Sequence, residues 1–430
     1  MPILRDDLDR RIVSLALPAL GTLAIEPLYV LVDTAIVGRL GTAPLAGLGI
    51  AATVLLTLTS LANFLEYGVT PAVAFAHGRN QPDEARAAAG DALWLAGLLG
   101  VPTAGLLLWL APQLASALGG HGEVRHAAIT YLRISAIGLP FVLVVLVGHG
   151  VMRGVNDLRR PLAIAAVANV VNIVLEIVAV YVLHLGIAGS AWSTVIVQIG
   201  AALAFSGVLG PHLAMHRAQW ERLRPLLITG WHLAVRVAAM LVVWITATAV
   251  AARVDTPTLA AHQVLTQVFM FLALVLDALA IPSQSLVAGA LGAGHVDEAM
   301  RIGHRSTRLS LWCGGAIAVL LLATCPLLPH AFTSDGAVVS RLTAGLVILA
   351  VMQLPGAVAF ALDGVLIGGQ DQRFLGRVAV VNLVAYAPLA LITLAIPRLG
   401  VAGLWGAQLT WMTMRAWVNM RRFRGRRWVP

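Results

Sequence analysis

The chain consists of long apolar stretches separated by short polar loops. Twelve stretches reach about 20 residues, the length that an α-helix needs to cross a hydrocarbon core of about 30 Å. An unpaired backbone cannot cross hydrocarbon, so each stretch predicts a helix rather than a strand or a loop. The predicted spans are residues 13–37, 45–72, 90–114, 126–150, 161–183, 187–209, 226–251, 259–290, 308–329, 340–367, 375–396 and 400–418.

The second half of the chain repeats the first half at an offset of 214 residues. The repeated positions are spread along the whole unit and include the pairs Arg39 and Arg253, Gly150 and Gly364, Asp157 and Asp371, and Leu185 and Leu399. An offset that persists over this length indicates two copies of one six-helix unit. Internal duplication within a membrane chain is typical of transporters.

The repeat predicts an all-α integral membrane fold with twelve transmembrane helices in two six-helix lobes. Six spans per copy give both lobes the same orientation, so we expect a pseudo-two-fold axis along the membrane normal. The predicted organisation is an N-lobe at residues 1–209, a cytoplasmic linker at 210–225, and a C-lobe at 226–430 that ends in a basic tail.

Composition excludes a soluble protein. Charged residues make up 11% and hydrophobic residues 59% of the chain, and the mean hydropathy is +0.87. A soluble domain has about 25% charged residues, so this chain lacks the polar surface needed to face water on all sides. No cleavable signal is expected, because the first apolar run is long enough to remain as a span.

The basic residues are distributed unequally between the predicted loops. All 29 basic residues are Arg. Of these, 22 fall at the termini, in the even-numbered loops or at the span ends that adjoin them, against five in the odd-numbered loops or at their adjoining span ends. The positive-inside rule therefore predicts an inner-membrane protein with both termini in the cytoplasm. The arginines at 421–427 indicate contact with anionic lipid rather than a nucleic-acid partner.

Carboxylates within the predicted spans are the first candidates for function. A charge at the bilayer centre costs about 2.5–3.5 kcal/mol even on insertion scales, so each such residue needs a reason. A carboxyl group in this setting can bind and release a proton or a cation. The candidates are Glu26, Asp33, Glu66, Glu176, Asp277 and Asp363.

Spans one and five carry the strongest polar pattern. Asp33 lies in an otherwise apolar helix, and in span five the spacing of Asn169, Asn172 and Glu176 places all three on one helical stripe. Such oxygen ligands suit a hard cation or a proton site. Two alternatives remain open: Asp33 may be read as a helix-end carboxylate in contact with water, and the stripe as a structural polar seam.

The other intramembrane acids are weaker candidates for cavity-lining roles. Glu66 and Asp277 are equivalent in the repeat, and each precedes a proline by five residues, so they can instead satisfy backbone groups freed by a kink. Asp363 has His149 as its repeat partner. Arg236 lies within a span, where we expect it to pair with a carboxylate or to reach the membrane surface.

Two segments resemble a known family. The first-span sequence 31–38, Leu-Val-Asp-Thr-Ala-Ile-Val-Gly, and the fifth-span sequence 172–176, Asn-Ile-Val-Leu-Glu, are similar to those of the multidrug and toxic compound extrusion (MATE) transporters. Residues 186–191 and 363–368 also fit, and the nearest branch is the DNA-damage-inducible (DinF-like) subfamily. The resemblance covers essentially the whole chain.

The resemblance implies an ion-coupling site in the N-lobe. Asp33 matches the family's first-span acid, Asn172 and Glu176 match the fifth-span pair, and Thr194 matches the hydroxyl that completes the site. The same four residues would hold sodium if sodium were the coupling ion. Glu26 falls where polar residues line the same cavity. The family usually has Asp where this chain has Glu176, which leaves the coupling ion open between H⁺ and Na⁺.

The implied function is the export of a small organic molecule in exchange for protons or sodium, by a monomer in membrane lipid without a cofactor. Substrate would bind in a central cleft, with weak candidates from spans seven, eight and ten: Met240, Trp244, Phe269 and Met352. A related two-lobe lipid-linked oligosaccharide flippase is the alternative, although its cavity should be strongly cationic. A polytopic membrane enzyme is a third possibility, but the chain contains no HExxH, GxSxG or DDxxD motif.

Overall fold

The computed structural model describes residues 7–214 and 219–429, with Glu26 described by its backbone only. These residues form helices and connecting turns, and the described part of the chain contains no strand. The helices are α1 Asp7–Gly38, α2 Thr42–Ala62, α3 Phe64–Gly78, α4 Pro82–Ala117, α5 Gly122–Gly154, α6 Arg159–Ile177, α7 Gly186–Leu209, α8 Trp220–Val254, α9 Thr256–Gly292, α10 Val296–Thr324, α11 Leu328–Phe332, α12 Gly336–Gly368, α13 Gln372–Ala395 and α14 Gly400–Arg424.

The predicted all-helical membrane fold is confirmed. Each predicted span corresponds to a long helix, although the second span is divided into α2 and α3 at Asn63. Within the described residues, eleven helical segments are long and apolar enough to cross a membrane. The remaining predicted span is α14, a 25-residue helix whose C-terminal half is enriched in arginine.

The backbone repeats with the same offset as the sequence. Helices α5 and α12 both have 33 residues, and the second begins and ends 214 positions after the first. The turns after them use left-handed backbone conformations at equivalent positions, with φ of 60° at Asn156 and 59° at Gln370. Most residues rarely adopt this conformation, so its recurrence at an equivalent turn supports duplication of the whole unit.

The chain forms two compact units whose boundaries lie inside helices. The N-unit is Gly21–Gly230, and the C-unit combines Met1–Leu20 with Trp231–Pro430. Helices α1 and α8 therefore each contribute to both units, whereas the predicted domain boundaries lay at 209 and 226. The ends of these two helices are held by ion pairs that the apolar pattern does not encode.

In the C-unit, the N-terminal end of α1 is attached to α10. Asp9 is 1% exposed, and its Oδ2 accepts a hydrogen bond of 3.1 Å from Arg305 and lies 3.7 Å from a nitrogen of Arg308. The two arginines are partly exposed to solvent. A buried acid is thus neutralised by two cations that themselves reach water.

In the N-unit, the N-terminal end of α8 is attached to α4 by an ion pair of the opposite polarity. Arg222 donates from Nε to Oδ2 of the buried Asp91 at 2.9 Å. Asp91 and Arg305 are equivalent under the 214-residue repeat, and Arg222 precedes the position equivalent to Asp9. The two copies have therefore kept the attachment and exchanged its charges.

The attachment of α1 gives an asymmetric prediction for stability. Arg305→Ala should lower the free energy of unfolding by about 1–3 kcal/mol, because Asp9 stays buried with only the longer contact to Arg308. Asp9→Asn should lower it less, because both arginines can turn to water. Thermal unfolding of the purified protein measures both changes, and Asp83→Asn, in the exposed pair with Arg86, is the control. Equal losses for the first two variants would contradict the argument.

Candidate functional site

Asp33 lies on the part of α1 that belongs to the N-unit. Its Oδ1 accepts a hydrogen bond of 2.7 Å from Ser190 Oγ on α7, and both side chains are buried. Gly189 permits α7 to pack closely at this point, because a Cβ there would lie 3.0 Å from the carbonyl group of Ala179. The first-span acid is therefore held against the start of the sixth span.

Thr194 connects α1, α6 and α7. Its hydroxyl lies 2.8 Å from that of Tyr29, donates to the Ser190 carbonyl at 3.1 Å, and accepts from Asn172 Nδ2 at 3.5 Å. Because Thr194 donates its single proton to the Ser190 carbonyl, Tyr29 is the donor to Thr194. One hydroxyl thus links the fifth-span amide to the helix that carries Asp33.

Glu176 is fully buried and faces Asp33 and Ser190. Neither of its carboxyl oxygens has a hydrogen-bond partner among the described residues, and the same holds for Oδ1 of Asn172. Buried acceptors without donors are unfavourable, and two charged carboxylates that face each other repel. One proton or one hard cation shared by the two acids removes both penalties.

The structure brings together the four residues assigned to ion coupling, Asp33, Asn172, Glu176 and Thr194. The sequence pattern does not single out Ser190, Tyr29 or Tyr131, whose hydroxyl lies close to Asp33, Ser190 and Thr194. Two of these could have been found from helical spacing, since Tyr29 precedes Asp33 by four residues and Ser190 precedes Thr194 by four. Tyr131 lies on another helix and gave no such signal.

The C-unit has no counterpart of this cluster at the equivalent positions. Asp33, Asn172 and Glu176 correspond to Ala247, Tyr386 and Ala390, which are buried in the hydrophobic core of that unit. Apolar packing replaces the two acids, so the repeat did not preserve this chemistry.

A cavity of about 390 Å³ lies within the N-unit beside the acid pair. Tyr29, Asn172 and Thr194 line it, whereas Asp33 and Glu176 lie behind them. The cavity extends along α7 to Phe205, which is 11 residues after Thr194, or about 16 Å along the helix axis. Contacts of Thr194 and Asn172 therefore couple the acid pair to the cavity wall.

Two of the remaining N-unit candidates, Asn169 and Glu66, line the cavity. Asn169 lines the cavity and donates its amide to the Ala165 carbonyl at 2.8 Å. Glu66 also lines it, where it forms an ion pair with Arg153. The side chain of Glu26 lies outside the described residues. Its role in lining the cavity stays a prediction.

In the C-unit, Asp363 is enclosed by cationic and amide donors. It accepts hydrogen bonds from Arg236 at 2.6 Å, from Arg415, and from Asn419 at 2.8 Å. The expected pairing of Arg236 with a carboxylate is confirmed. Asp277 interacts electrostatically with Arg415, so it belongs to the same charged network.

Two arginines lie deeper than the sequence predicted. Arg153 and Arg415 were both counted with the cytoplasmic loops and termini, but both are buried and ion-paired. Arg153 lies at the end of α5, and Arg415 lies near the end of the predicted span 400–418 but nine residues before the end of α14. Hydropathy does not distinguish a side chain that points to water from one that points inwards at such positions. The excess of arginine on the predicted cytoplasmic side is therefore smaller than counted, but its sign is unchanged.

The four candidate substrate-cleft residues, Met240, Trp244, Phe269 and Met352, pack in or against the hydrophobic core of the C-unit. Phe269 and Met352 are buried in the C-unit core, so their side chains cannot touch a substrate without repacking. Trp244 packs on Phe269 with ring centroids 4.9 Å apart. Met240 also lines a very small pocket beside Asp363. Contact of these four residues with a substrate stays a prediction.

These features define a multi-pass membrane transporter with one buried acid pair. The MatE family model matches residues 18–178 and again residues 232–392, so the second match begins and ends 214 residues after the first. The chain belongs to the MatE family, whose members are transporters and not enzymes.

Similar curated proteins come from plants and bacteria. Protein DETOXIFICATION 44, chloroplastic, from Arabidopsis thaliana is 30% identical over 419 residues, which cover 94% of this chain and 80% of the relative. DNA damage-inducible protein F from Escherichia coli is 26% identical and covers 95% of this chain and 90% of its own length. The DinF-like resemblance is confirmed.

Solved structures show the same fold. A MOP superfamily transporter from Pyrococcus furiosus aligns with a TM-score of 0.89 at 22% identity, covering 99% of this chain and 97% of its own. A MATE structure in the bent conformation aligns with a TM-score of 0.92, also at 22% identity. At this level of identity the likeness concerns the fold alone.

Proposed function

We propose that this transporter is a secondary active exporter of organic compounds, driven by entry of protons at the Asp33–Glu176 pair. The observation that carries the proposal is the pair itself: two buried carboxyl groups face each other beside a cavity that is large enough for a small organic molecule. Protons are favoured over sodium because the hydroxyls beside the pair already form hydrogen bonds. Ser190 donates to Asp33, and the hydroxyl of Tyr29 bonds to that of Thr194.

The geometry supports a coupling mechanism in which the acid pair controls the cavity wall. When the pair binds a proton, the repulsion between Asp33 and Glu176 disappears, and α1 and α6 can pack more closely. Thr194 and Asn172, which link these helices, then shift on the cavity side. The closer packing of α1 and α6 would leave less room in the cavity, so the substrate would be released. The empty transporter would then return to its starting conformation by alternating access.

The substrates are inferred from the cavity and from relatives. The cavity wall combines apolar side chains with amides and hydroxyls, which suits amphiphilic organic molecules. A probable multidrug resistance protein, NorM, from Bradyrhizobium diazoefficiens is 27% identical and covers 91% of this chain. We extend its named role in multidrug resistance to this chain and propose amphiphilic organic molecules as the substrates.

We also infer a monomer in the inner membrane with both termini in the cytoplasm. The orientation rests on the unequal distribution of arginine between the loops. The monomer stays a prediction. The orientation can be tested by fusing, after Trp428, a reporter enzyme that works only outside the cytoplasm. Activity of this fusion would overturn the predicted orientation.

Purified protein in liposomes tests the coupling. A fluorescent amphiphilic organic compound should be transported when a pH gradient is imposed, and a sodium gradient at constant pH should give little or no transport. The result should disappear when an ionophore removes the pH gradient. Transport that follows the sodium gradient alone would move the coupling ion from H⁺ to Na⁺, and transport with neither gradient would refute secondary active export.

A further inference from the structure

A buried ion pair faces the N-unit cavity and has no part in the proton site. Arg153 on α5 lies with Nη1 2.9 Å from Oε1 of Glu66 on α3, and the side chains are 6% and 9% exposed. Both residues line the cavity. A full positive and a full negative charge are thus presented side by side to any molecule that enters.

The helices that carry this pair are fixed against each other. A Cβ at Gly150 would lie 2.9 Å from the carbonyl oxygen of Glu66, so α3 and α5 approach more closely than a larger residue allows. Thr70 Oγ1 lies 2.9 Å from the Glu66 carbonyl and 3.0 Å from the Gly150 carbonyl, bridging the two helices. The pair is therefore held in place before any ligand arrives.

The C-unit does not repeat this pair at the equivalent positions, because its acid, Asp277, interacts with Arg415 of α14. Under the repeat, Arg153 corresponds to Ile367, a buried apolar residue in the C-unit, while Glu66 corresponds to Asp277. One copy of the unit therefore folds with isoleucine at the arginine position. Replacing a buried ion pair by apolar residues is often neutral or stabilising, so stability alone does not account for it.

The energetics of a buried pair restrict what can bind to it. A cation that takes Glu66 leaves Arg153 buried without its carboxylate, and an anion that takes Arg153 leaves Glu66 without its cation. Each case carries the large penalty of an uncompensated buried charge. A molecule with both charges close together can replace each partner at once, so the pair favours it over singly charged analogues.

We propose that Glu66 and Arg153 are the charge-recognition residues of the cavity and select dipolar organic substrates, whose ammonium binds Glu66 and whose carboxylate binds Arg153. This inference rests on the proposed function only in placing the substrate in the N-unit cavity. The apolar body of the substrate would lie along the wall formed by Val145, Leu146 and Phe205, where Phe205 packs on His149 with ring centroids 4.9 Å apart.

Three probes of similar size separate the charge classes: tryptophan is dipolar, its methyl ester is a cation, and N-acetyltryptophan is an anion. Calorimetry on the purified wild-type protein, without any gradient, should give an affinity for tryptophan at least about tenfold higher than for either analogue. The double variant Glu66→Gln/Arg153→Gln should bind the three probes within about twofold of one another.

A control is a second ion pair of the same unit, between the buried Asp91 and the partly exposed Arg222. Asp91→Asn/Arg222→Gln removes an ion pair that does not line the cavity, and it should keep the wild-type ranking. Equal affinities in the wild type, binding of none of the probes, or a preference that survives in the Glu66→Gln/Arg153→Gln variant would each overturn the inference.

The wild-type ranking decides the question even if the double variant does not fold. The test also separates this inference from the proposed function, because the binding measurement involves no ion gradient. A tenfold preference without proton-driven efflux would uphold dipolar recognition and refute proton coupling. Proton-driven efflux with equal affinities for the three probes would uphold proton coupling and refute dipolar recognition.

Discussion

Asp33→Asn should abolish proton-driven efflux and leave a folded, membrane-inserted protein. The amide can still accept the hydrogen bond that Ser190 donates at 2.7 Å, so the contact between α1 and α7 is retained. An amide does not take up and release a proton in the cellular pH range. The variant therefore resembles the permanently neutral state of the acid pair, and transport in pH-gradient liposomes should fall to the level of protein-free vesicles.

Glu176→Gln should have the same effect if the two acids share the coupling proton. The control is Asp335→Asn, because Asp335 caps the exposed N-terminus of α12 and takes no part in the site. Substrate binding without a gradient should persist in both site variants, which distinguishes lost coupling from lost folding. Normal gradient-driven efflux by Asp33→Asn would refute its role.

The number of spans and the duplication could be predicted because both are regular patterns along the chain. Length and apolarity identify a span without knowledge of its neighbours. The 214-residue offset needs only the comparison of residues such as Gly150 and Gly364, and the structure shows the same offset in the backbone. Helical spacing also placed Asn172 and Glu176 on one stripe.

Contacts between distant segments could not be predicted in the same way. Ser190 and Asp33 are 157 positions apart, and no periodic signal in either helix indicates that they meet. The attachment of Asp9 to Arg305 spans 296 positions, and it assigns the start of α1 to the C-unit. Such pairings depend on which helix faces meet, which hydropathy does not determine.

Asp363 shows how the sequence can single out an intramembrane acid without identifying its partners. The cost of burying a carboxylate singled it out as a cavity or proton-binding candidate. The structure instead encloses it by Arg236, Arg415 and Asn419. A carboxylate with two cationic partners is held in its charged form, which suits a structural role better than reversible protonation.

Asp363→Asn should therefore destabilise the C-unit strongly, by about 3–5 kcal/mol, because it leaves two buried arginines without their shared carboxylate. A loss of this size is a large part of a typical total stability of about 5–15 kcal/mol. Thermal or denaturant unfolding in detergent should show it, together with a lower yield of inserted protein. Arg236→Gln should be milder, because Asp363 then keeps Arg415 and Asn419.

The double variant Asp363→Asn/Arg236→Gln distinguishes lost charge balance from lost packing. If charge balance is the cause, removing one arginine together with the acid should recover part of the stability, because Arg415 retains its interaction with Asp277. Any folded Asp363→Asn protein should still show proton-driven efflux, unlike Asp33→Asn, because its acid pair is intact. A fully stable Asp363→Asn protein without coupling would reverse the assignment and make Asp363, rather than the N-unit pair alone, part of the proton pathway.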